Sequence, residues 1–418
     1  MASSKPFHWK SSHYSSLMKP LSRKALSIEP SQTLMLFARA KKMKAEGHDV
    51  VSFTAGEPDF PTPALVKEAG IRAINENFTK YTPNRGIPEL LKAIAEKFSR
   101  DNQIETNPSR ILVSTGAKHS VYNALQSLCN KGDEVIIPTP YWVSYPEMVQ
   151  MVDGVPKFVR TTLKNQFKMT PGELSKAISR KAKVLILNSP CNPTGAVYSK
   201  DELEAIAEIV QKTGIYWISD EIYEKVIFDS QKHFSPGSIS AIKDLVITVN
   251  GVSKAFAMTG WRIGFMTAHE SIITTADTFQ GQVTSNANSI AQRAALAALT
   301  ANLDEVIKGM VTEFDRRRCF LVDAMGTIPG IRMVNPQGAF YLFFEVKAYL
   351  GKRVTGTLLK TSDDLCEYLL NKHHVAMVPG TGFGEKNWVR LSYACSMAEL
   401  EKGIARIKAG LGEIGEGM

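Results

Sequence analysis

The sequence predicts an α/β fold: a mostly parallel, doubly wound sheet between helices, followed by a smaller α+β unit. Two observations predict it. Apolar runs of strand length alternate with segments of helical periodicity from about residue 62, and near residue 305 that alternation gives way to long helices separated by short strands. A chain of 418 residues, 44% hydrophobic and 22% charged, is long enough to bury the cores of two such units.

Taken in order, "YTPNRGIPELLKAIAEKF" starts a helix at Pro88, where a missing N–H costs nothing, and sets Leu91, Ile94, Ala95 and Phe98 on one face. "RILVSTG" reads as a buried strand, and the helix after it faces Val121, Ala124, Leu125 and Leu128 inward. "DEVIIPTP", "AKVLILNSP", "IYWISDEIY", "DLVITVNG" and "RIGFMTA" are further apolar strands. The segment "SKDELEAIAEIVQKTG" carries a Ser199/Glu202 capping box, an inner face of Leu203, Ile206, Ala207 and Val210, and a stop at Gly214. The link "SKAFAMTGW" is too short for a crossover helix. The strands it joins are therefore expected to run antiparallel, with the link at one edge of the sheet and Lys254 and Arg262 at the same end. After residue 305 come the helices of "DEVIKGMVTEFDRRRCFLVDAM" and "DDLCEYLLNKH", the strand "GAFYLFFEV", the pair "VAMVPGTGF" and "NWVRLSYA", and a final helix with Leu400, Ile404, Ile407 and Leu411.

Composition excludes several classes. No apolar run approaches the roughly 20 residues that cross a bilayer, so no membrane role is expected. The five cysteines are odd in number and scattered, which suits reduced thiols in the cytoplasm. Of the net charge of +9, residues 1–28 contribute Lys5, Lys10, Lys19, Arg23 and Lys24 with no acid. The excess thus marks a basic, Ser-rich tail rather than a nucleic-acid surface, and no groove-reading motif accompanies it. Such an acid-poor N-terminus also resembles an organellar transit peptide, with Met18 as a second start.

Ligands of open α/β sheets bind at the carboxyl ends of the strands. The residues there are Gly116, Ala117 and Lys118 after "ILVST", Tyr141 and Trp142 after "VIIPTP", Asn192 in "NPTG", Asp220 and Tyr223 after "IYWIS", and Lys254 after "VITVNG". The small residues of "STGAKHS" let backbone N–H groups point at a phosphate from a helix start. Asp220 ends an apolar strand and needs a cationic or hydrogen-bonding partner, while Arg390 in "WVRLSY" is a cation among apolar residues that needs an anion. A bidentate grip on a carboxylate is the natural use of that guanidinium. "PGTGFG" lacks the third glycine of a dinucleotide loop. No His, Cys and carboxylate grouping has metal-ligand spacing, and no metal is expected.

One ligand makes these charges compatible, because it carries a phosphate, a basic ring nitrogen and an aldehyde: pyridoxal phosphate. The phosphate would take the "GAK" amides and Arg262, the ring nitrogen Asp220, the ring face Trp142, and the aldehyde the amine of Lys254. From about Leu21 to Leu411 the chain resembles the fold-type-I pyridoxal-phosphate aminotransferases of class I/II. Within them it is similar to the prokaryotic-type aspartate aminotransferases of subgroup Ib. The resemblance rests on "TAGEPDF", "KYTPNRGIPEL", "TPYWVSYPEM", "NSPCNPTGAVY", "SDEIYE", "SKAFAMTGWRIG" and "VRLSYA" in that order.

The resemblance implies a mostly parallel, seven-stranded sheet in a large cofactor-binding domain, residues 62–305, and a small domain, residues 306–418, joined by an N-terminal segment, residues 21–61, after the tail of residues 1–20. It implies that Lys254 binds the cofactor and moves the substrate proton, that Asp220 keeps the ring nitrogen protonated, and that Tyr223 and Asn192 hydrogen-bond the ring oxygen. Arg390, with the Gly56 backbone and Asn192 nearby, would hold the substrate α-carboxylate. Tyr81 would reach the phosphate of a neighbouring subunit, which implies a homodimer with shared sites. Many relatives have a serine three residues before the lysine; here that position is Gly251, and Ser253 is the candidate in its place. In subgroup Ib the side chains matching Lys118 and Thr33 are associated with the second carboxylate of acidic substrates. The implied reaction is therefore amino transfer between aspartate or glutamate and 2-oxo acids, in a ping-pong cycle. Because the same pair occurs in relatives that transaminate prephenate, a dual activity is an alternative. A lyase on the same cofactor is allowed by the fold, and a non-catalytic regulator would need an attached DNA-binding domain that is not seen.

Overall fold

The computed structural model describes residues 19–354 and 356–416, so most of the basic tail lies outside the described residues. Its centre is a seven-stranded sheet built from β1 (Ile111–Ser114), β2 (Glu134–Thr139), β3 (Val155–Arg160), β4 (Ala182–Asn188), β5 (Tyr216–Asp220), β6 (Val246–Gly251) and β7 (Gly264–Thr267). The spatial order is β1-β7-β6-β5-β4-β2-β3. All neighbours are parallel except β7, which runs against both β1 and β6. The short link does reverse the chain, as expected, but it does not lie at the sheet edge: β1 pairs with the far side of β7 and becomes the edge strand. The sequence reading had no account of β3, whose "VPKFVR" carries two charges and is largely exposed, as befits the opposite edge.

Both faces of the sheet are covered. On one, Leu112, Ile137, Ile186 and Val249 pack with the inward residues of the helix Ala117–Leu128. On the other, Val113 and Phe265 meet Ile94 and Phe98 of the helix Pro88–Asn102, while Leu185 and Trp217 meet Leu203 and Ile206 of the helix Lys200–Thr213. Parallel strands buried on both sides read as unbroken apolar runs, which is why they were visible in the sequence. The capping box of Ser199 and Glu202 forms, and Gly214 ends that helix in the left-handed region at φ 70°.

A second, antiparallel sheet carries β8 (Arg332–Met333), β9 (Tyr341–Glu345), β10 (Val378–Pro379) and β11 (Trp388–Ser392) in the order β10-β11-β9-β8. The long helix Asp304–Gly326 and the helices Ser362–His373 and Met397–Glu416 pack against it. "VAMVPGTGF" is not one strand: Val375–Ala376 pairs in parallel with Val51–Ser52, and only Val378–Pro379 joins β11. No described helix is long and apolar enough to cross a membrane.

The turn that follows β5 presents residues of opposite fate. Asp220 and Tyr223 face the carboxyl end of the sheet, whereas Glu221 and Glu224 turn back into the protein, where they are 0% and 8% exposed. Lys97 from the helix Pro88–Asn102 ion-pairs with Glu224, and Asn102 Nδ2 donates to Glu224 Oε2 at 2.7 Å and to Glu221 Oε2 at 3.0 Å. Ser219, Ser235 and His233 complete the shell around Glu221. Burial alone would lower the pKa of His233, but contact with Glu221 raises it above the usual imidazole value, so the cation balances the second carboxylate. Removing one member of such a pair strands the other charge. Glu224→Gln is expected to cost about 3–5 kcal/mol in unfolding free energy by leaving Lys97 without its anion. Urea denaturation of the variant against the parent checks this, and a difference within ~0.5 kcal/mol would refute the role given to the pair.

Candidate active site

The carboxyl ends of the strands open into a cavity of about 360 Å³, within the range of small-molecule sites. Lys254 follows β6 at the start of the short link, and its ammonium donates to the Gly56 carbonyl. The rings of Tyr223 and Phe340 lie 5.8 and 5.9 Å from Nζ. Burial is the main cause that brings this amine from its ordinary 10.5 down to about 8; Glu57 pulls it up, and Arg262 and Arg390 push it further down. A neutral amine is thus accessible near neutral pH, which a nucleophile and proton carrier requires.

Arg262 arrives on the other side of the link in the left-handed region, at φ 58°. Its guanidinium lies against Gly116, where a Cβ would collide with it, and donates to the carbonyls of Thr259 at 2.9 Å and Thr115 at 3.4 Å. Gly116 precedes the helix Ala117–Leu128, so helix N–H groups and a guanidinium converge without a paired acid. That is a cradle for a phosphate. Gly251 faces Gly264 across β6 and β7, and a Cβ on Gly251 would lie 3.0 Å from the Gly264 backbone. A side chain at Gly251 would therefore be crowded against β7, and Ser253, 6% exposed, lines the cavity.

At the end of β5, Asp220 is 5% exposed. Burial pushes its carboxyl up to about 6; hydrogen bonds from Tyr145, at 2.6 Å, and from the Ile222 N–H restrain the rise, and Glu221 adds to it. A carboxylate so poised can hold a proton on a facing pyridine nitrogen. Trp142 stands edge-on to Tyr145, with ring centroids 5.3 Å apart. The Tyr223 hydroxyl shares a 2.7 Å hydrogen bond with Tyr341, a partner the sequence reading had not singled out although "GAFYLFFEV" contains it. Tyr145 was likewise missed, its signal being only its place three residues after Trp142.

Arg390, in the middle of β11, is 2% exposed, yet no carboxylate faces it among the described residues. Its donors go to Asn192 Oδ1 at 3.1 Å and the Thr54 carbonyl at 2.9 Å, its Nε has no partner, and its plane lies over the Tyr341 ring at 4.5 Å. Lys118, which also lines the cavity, makes no ion pair among the described residues and rests over the Trp142 ring at 4.8 Å, its pKa lowered by burial and then by Arg262. The hydroxyl of Thr33, on the helix Gln32–Ala45, is buried without a hydrogen bond beside the same cavity. Of the residues singled out from sequence, Gly116, Tyr141 and Tyr81 do not line this cavity; Gly116 lies against the Arg262 guanidinium that does, and Tyr81 is 89% exposed on the surface.

Lys254, Arg262, Asp220 and Arg390 share one cavity, and comparison with known proteins decides the family. The sequence profile of Aminotransferase class I and II matches residues 48–407. The chain belongs to that family. This aminotransferase is 44% identical to the bifunctional aspartate aminotransferase and glutamate/aspartate-prephenate aminotransferase of Petunia hybrida, over 94% of this chain and 82% of the relative. It is also 44% identical to the aspartate aminotransferase of Bacillus subtilis, over 93% of this chain and 98% of the relative. The aspartate aminotransferase of Rhizobium meliloti superposes with a TM-score of 0.90 at 41% identity, covering 95% of this chain and 99% of its own. That of Thermus thermophilus, solved with maleate, gives 0.89 at 40% identity, covering 94% and 100%.

The depressed amine of Lys254 has a consequence for the cofactor-free aminotransferase. Below about pH 8 the fold must hold an ammonium where an amine is preferred, and this destabilisation fades as pH rises from 8 towards 10.5, where the unfolded chain also loses the proton. Lys254→Met should therefore raise the melting temperature of the cofactor-free protein at pH 7, with the gain shrinking above pH 8. Thermal scans at pH 7 and pH 10 test the sign, and a gain that grows with pH would contradict it.

Proposed function

We propose that this aminotransferase moves the amino group between aspartate or glutamate and 2-oxo acids on pyridoxal phosphate, in alternating half-reactions. One observation carries the reading: two cations without anions, Arg390 and Lys118, line one cavity with the amine of Lys254. A substrate with two carboxylates, its amino group near one of them, answers both. The names of the relatives and the maleate, itself a dicarboxylate, in the Thermus thermophilus structure support it.

The residues fit the cofactor by charge and by space. Gly116, Ala117, Arg262 and Ser253 would hold its phosphate, Asp220 its ring nitrogen, Tyr223 and Asn192 its ring oxygen, Trp142 its face and Lys254 its aldehyde. When bound, the group supplies a ring that accepts the electron pair left on the substrate α-carbon. Arg390 binds the α-carboxylate and so orients the α-hydrogen. Lys254, whose amine burial brings within reach of its neutral form, takes that proton on Nζ. Lys118 and the Thr33 hydroxyl receive the distal carboxylate. Tyr81, exposed in one chain, would complete the phosphate site of a second copy, so the working unit is a homodimer. The five free cysteines suit the cytoplasm. The division into domains at residues 61/62 and 305/306 is part of the same proposal.

A second reading, dual use of prephenate, is favoured by one feature. Leu34 and Phe37, 63% and 41% exposed, line the same cavity as Lys118 with apolar surface, where a ring-bearing dicarboxylate has something to rest on.

Initial rates with aspartate and glutamate as donors, and 2-oxoglutarate, oxaloacetate and prephenate as acceptors, separate these readings. Lys118→Ala should cut kcat/KM for aspartate by about 100-fold, on the order of a charge-assisted contact, and far less for a monocarboxylic donor. Equal losses for both classes sink the assignment of Lys118. Lys254→Ala should abolish both turnover and the absorbance band of the lysine-bound cofactor, and retention of either would remove Lys254 from its role.

A further inference from the structure

Arg317 stands in the middle of the helix Asp304–Gly326, touches no part of the cavity, and is 5% exposed. Its Nη1 meets Asp59 Oδ1 at 2.7 Å, its Nε meets Glu313 Oε1 at 2.9 Å, and Nη1 also reaches the Tyr393 carbonyl at 3.5 Å. Phe60 and Phe314 flank the guanidinium, with ring centroids 5.3 and 5.7 Å away. The two ends of this grip are not arbitrary. Asp59 lies three residues beyond Gly56, whose carbonyl accepts from Lys254, and five beyond Thr54, whose carbonyl accepts from Arg390. Tyr393 lies three residues beyond Arg390 itself. A backbone hydrogen bond from Ser392 to Phe53, at 2.9 Å, joins the two segments. Arg317 joins them a second time, through Asp59 and the Tyr393 carbonyl.

We infer that Arg317, through Asp59 and the Tyr393 carbonyl, is a positioning residue that sets the distance between the Thr54–Gly56 backbone and the Arg390 guanidinium, and thereby the grip on the substrate α-carboxylate. The inference rests on the proposed role of Arg390. Two anions share Arg317, because Glu313 holds the guanidinium to its own helix while Asp59 brings the loop to it. A planar fork with donors on several edges is needed for three partners, which an ammonium cannot reproduce. The loop 55–63 has no regular hydrogen bonding of its own, so its position depends on such anchors.

Arg317→Lys and Asp59→Asn are made separately and together in the cofactor-loaded, full-length protein. The separate changes keep the test valid if one variant fails to fold. Each single change is expected to raise KM for aspartate and for 2-oxoglutarate by roughly tenfold and to weaken maleate binding, followed by fluorescence titration, by the same factor. kcat should stay within about threefold and the visible absorbance of the cofactor should not change, as befits a lost alignment of binding groups. The double variant should be no worse than the worse single, because one contact is being broken twice. Unchanged KM and maleate affinity, kcat falling along with cofactor absorbance, or additive losses would each overturn the inference while leaving the proposed function standing. A parent protein that neither transfers amino groups nor binds maleate overturns both.

Discussion

Strand β7 runs against its neighbours because the twelve residues between β6 and β7 hold no crossover helix to carry the chain back across the sheet. Everything in the cavity depends on that reversal. It places the end of β6 and the approach to β7 at one end of the sheet, so Lys254 and Arg262 meet there although each leaves or enters a different strand. The reversal is possible only where two backbones can touch. A side chain on Gly264 would run into the start of the helix Ala117–Leu128, and one on Gly251 into Gly264. The same closeness that excludes side chains brings helix N–H groups, a guanidinium and an amine around one point.

The charges of Lys254, Arg262, Asp220, Arg390 and Lys118 follow a single rule: none makes an ion pair among the described residues. Elsewhere the chain pairs its buried ions, as Lys97 with Glu224 and Arg318 with Asp229 show. In the cavity, Arg390 faces carbonyl oxygens and an amide, and Lys118 rests on an indole face. Desolvation then works on the groups that remain, lowering the amine of Lys254 and raising the carboxyl of Asp220 until the two can exchange protons with a ligand near neutral pH. The paired network directly behind Asp220 is the counterpart, since it holds the turn of residues 220–224 firm so that its other face can be left unsatisfied.

Much of this was legible in the sequence because it is written locally. Strands buried on both faces are continuous apolar runs, and a lysine or arginine among such residues announces a missing partner; Lys254, Asp220 and Arg390 were found in that way. What escaped detection was either non-local or chemically ordinary. Edge strand β3 has a mixed pattern, and the location of β7 inside the sheet depends on β1 joining it from more than 140 residues away in the chain. Tyr145 and Tyr341 look like core aromatics until their hydroxyls are seen on Asp220 and Tyr223. Arg317 reads as one basic residue of "RRR" on a solvated helix, and only the fold shows it to be buried against Asp59.

The guanidinium of Arg390 has one further consequence. A cation held out of water without an anion weakens the folded chain, and a carboxylate that fills the gap binds that chain and not the unfolded one. By mass action, a carboxylate bound at Arg390 adds to the stability of the fold in proportion to the logarithm of its concentration above its Kd.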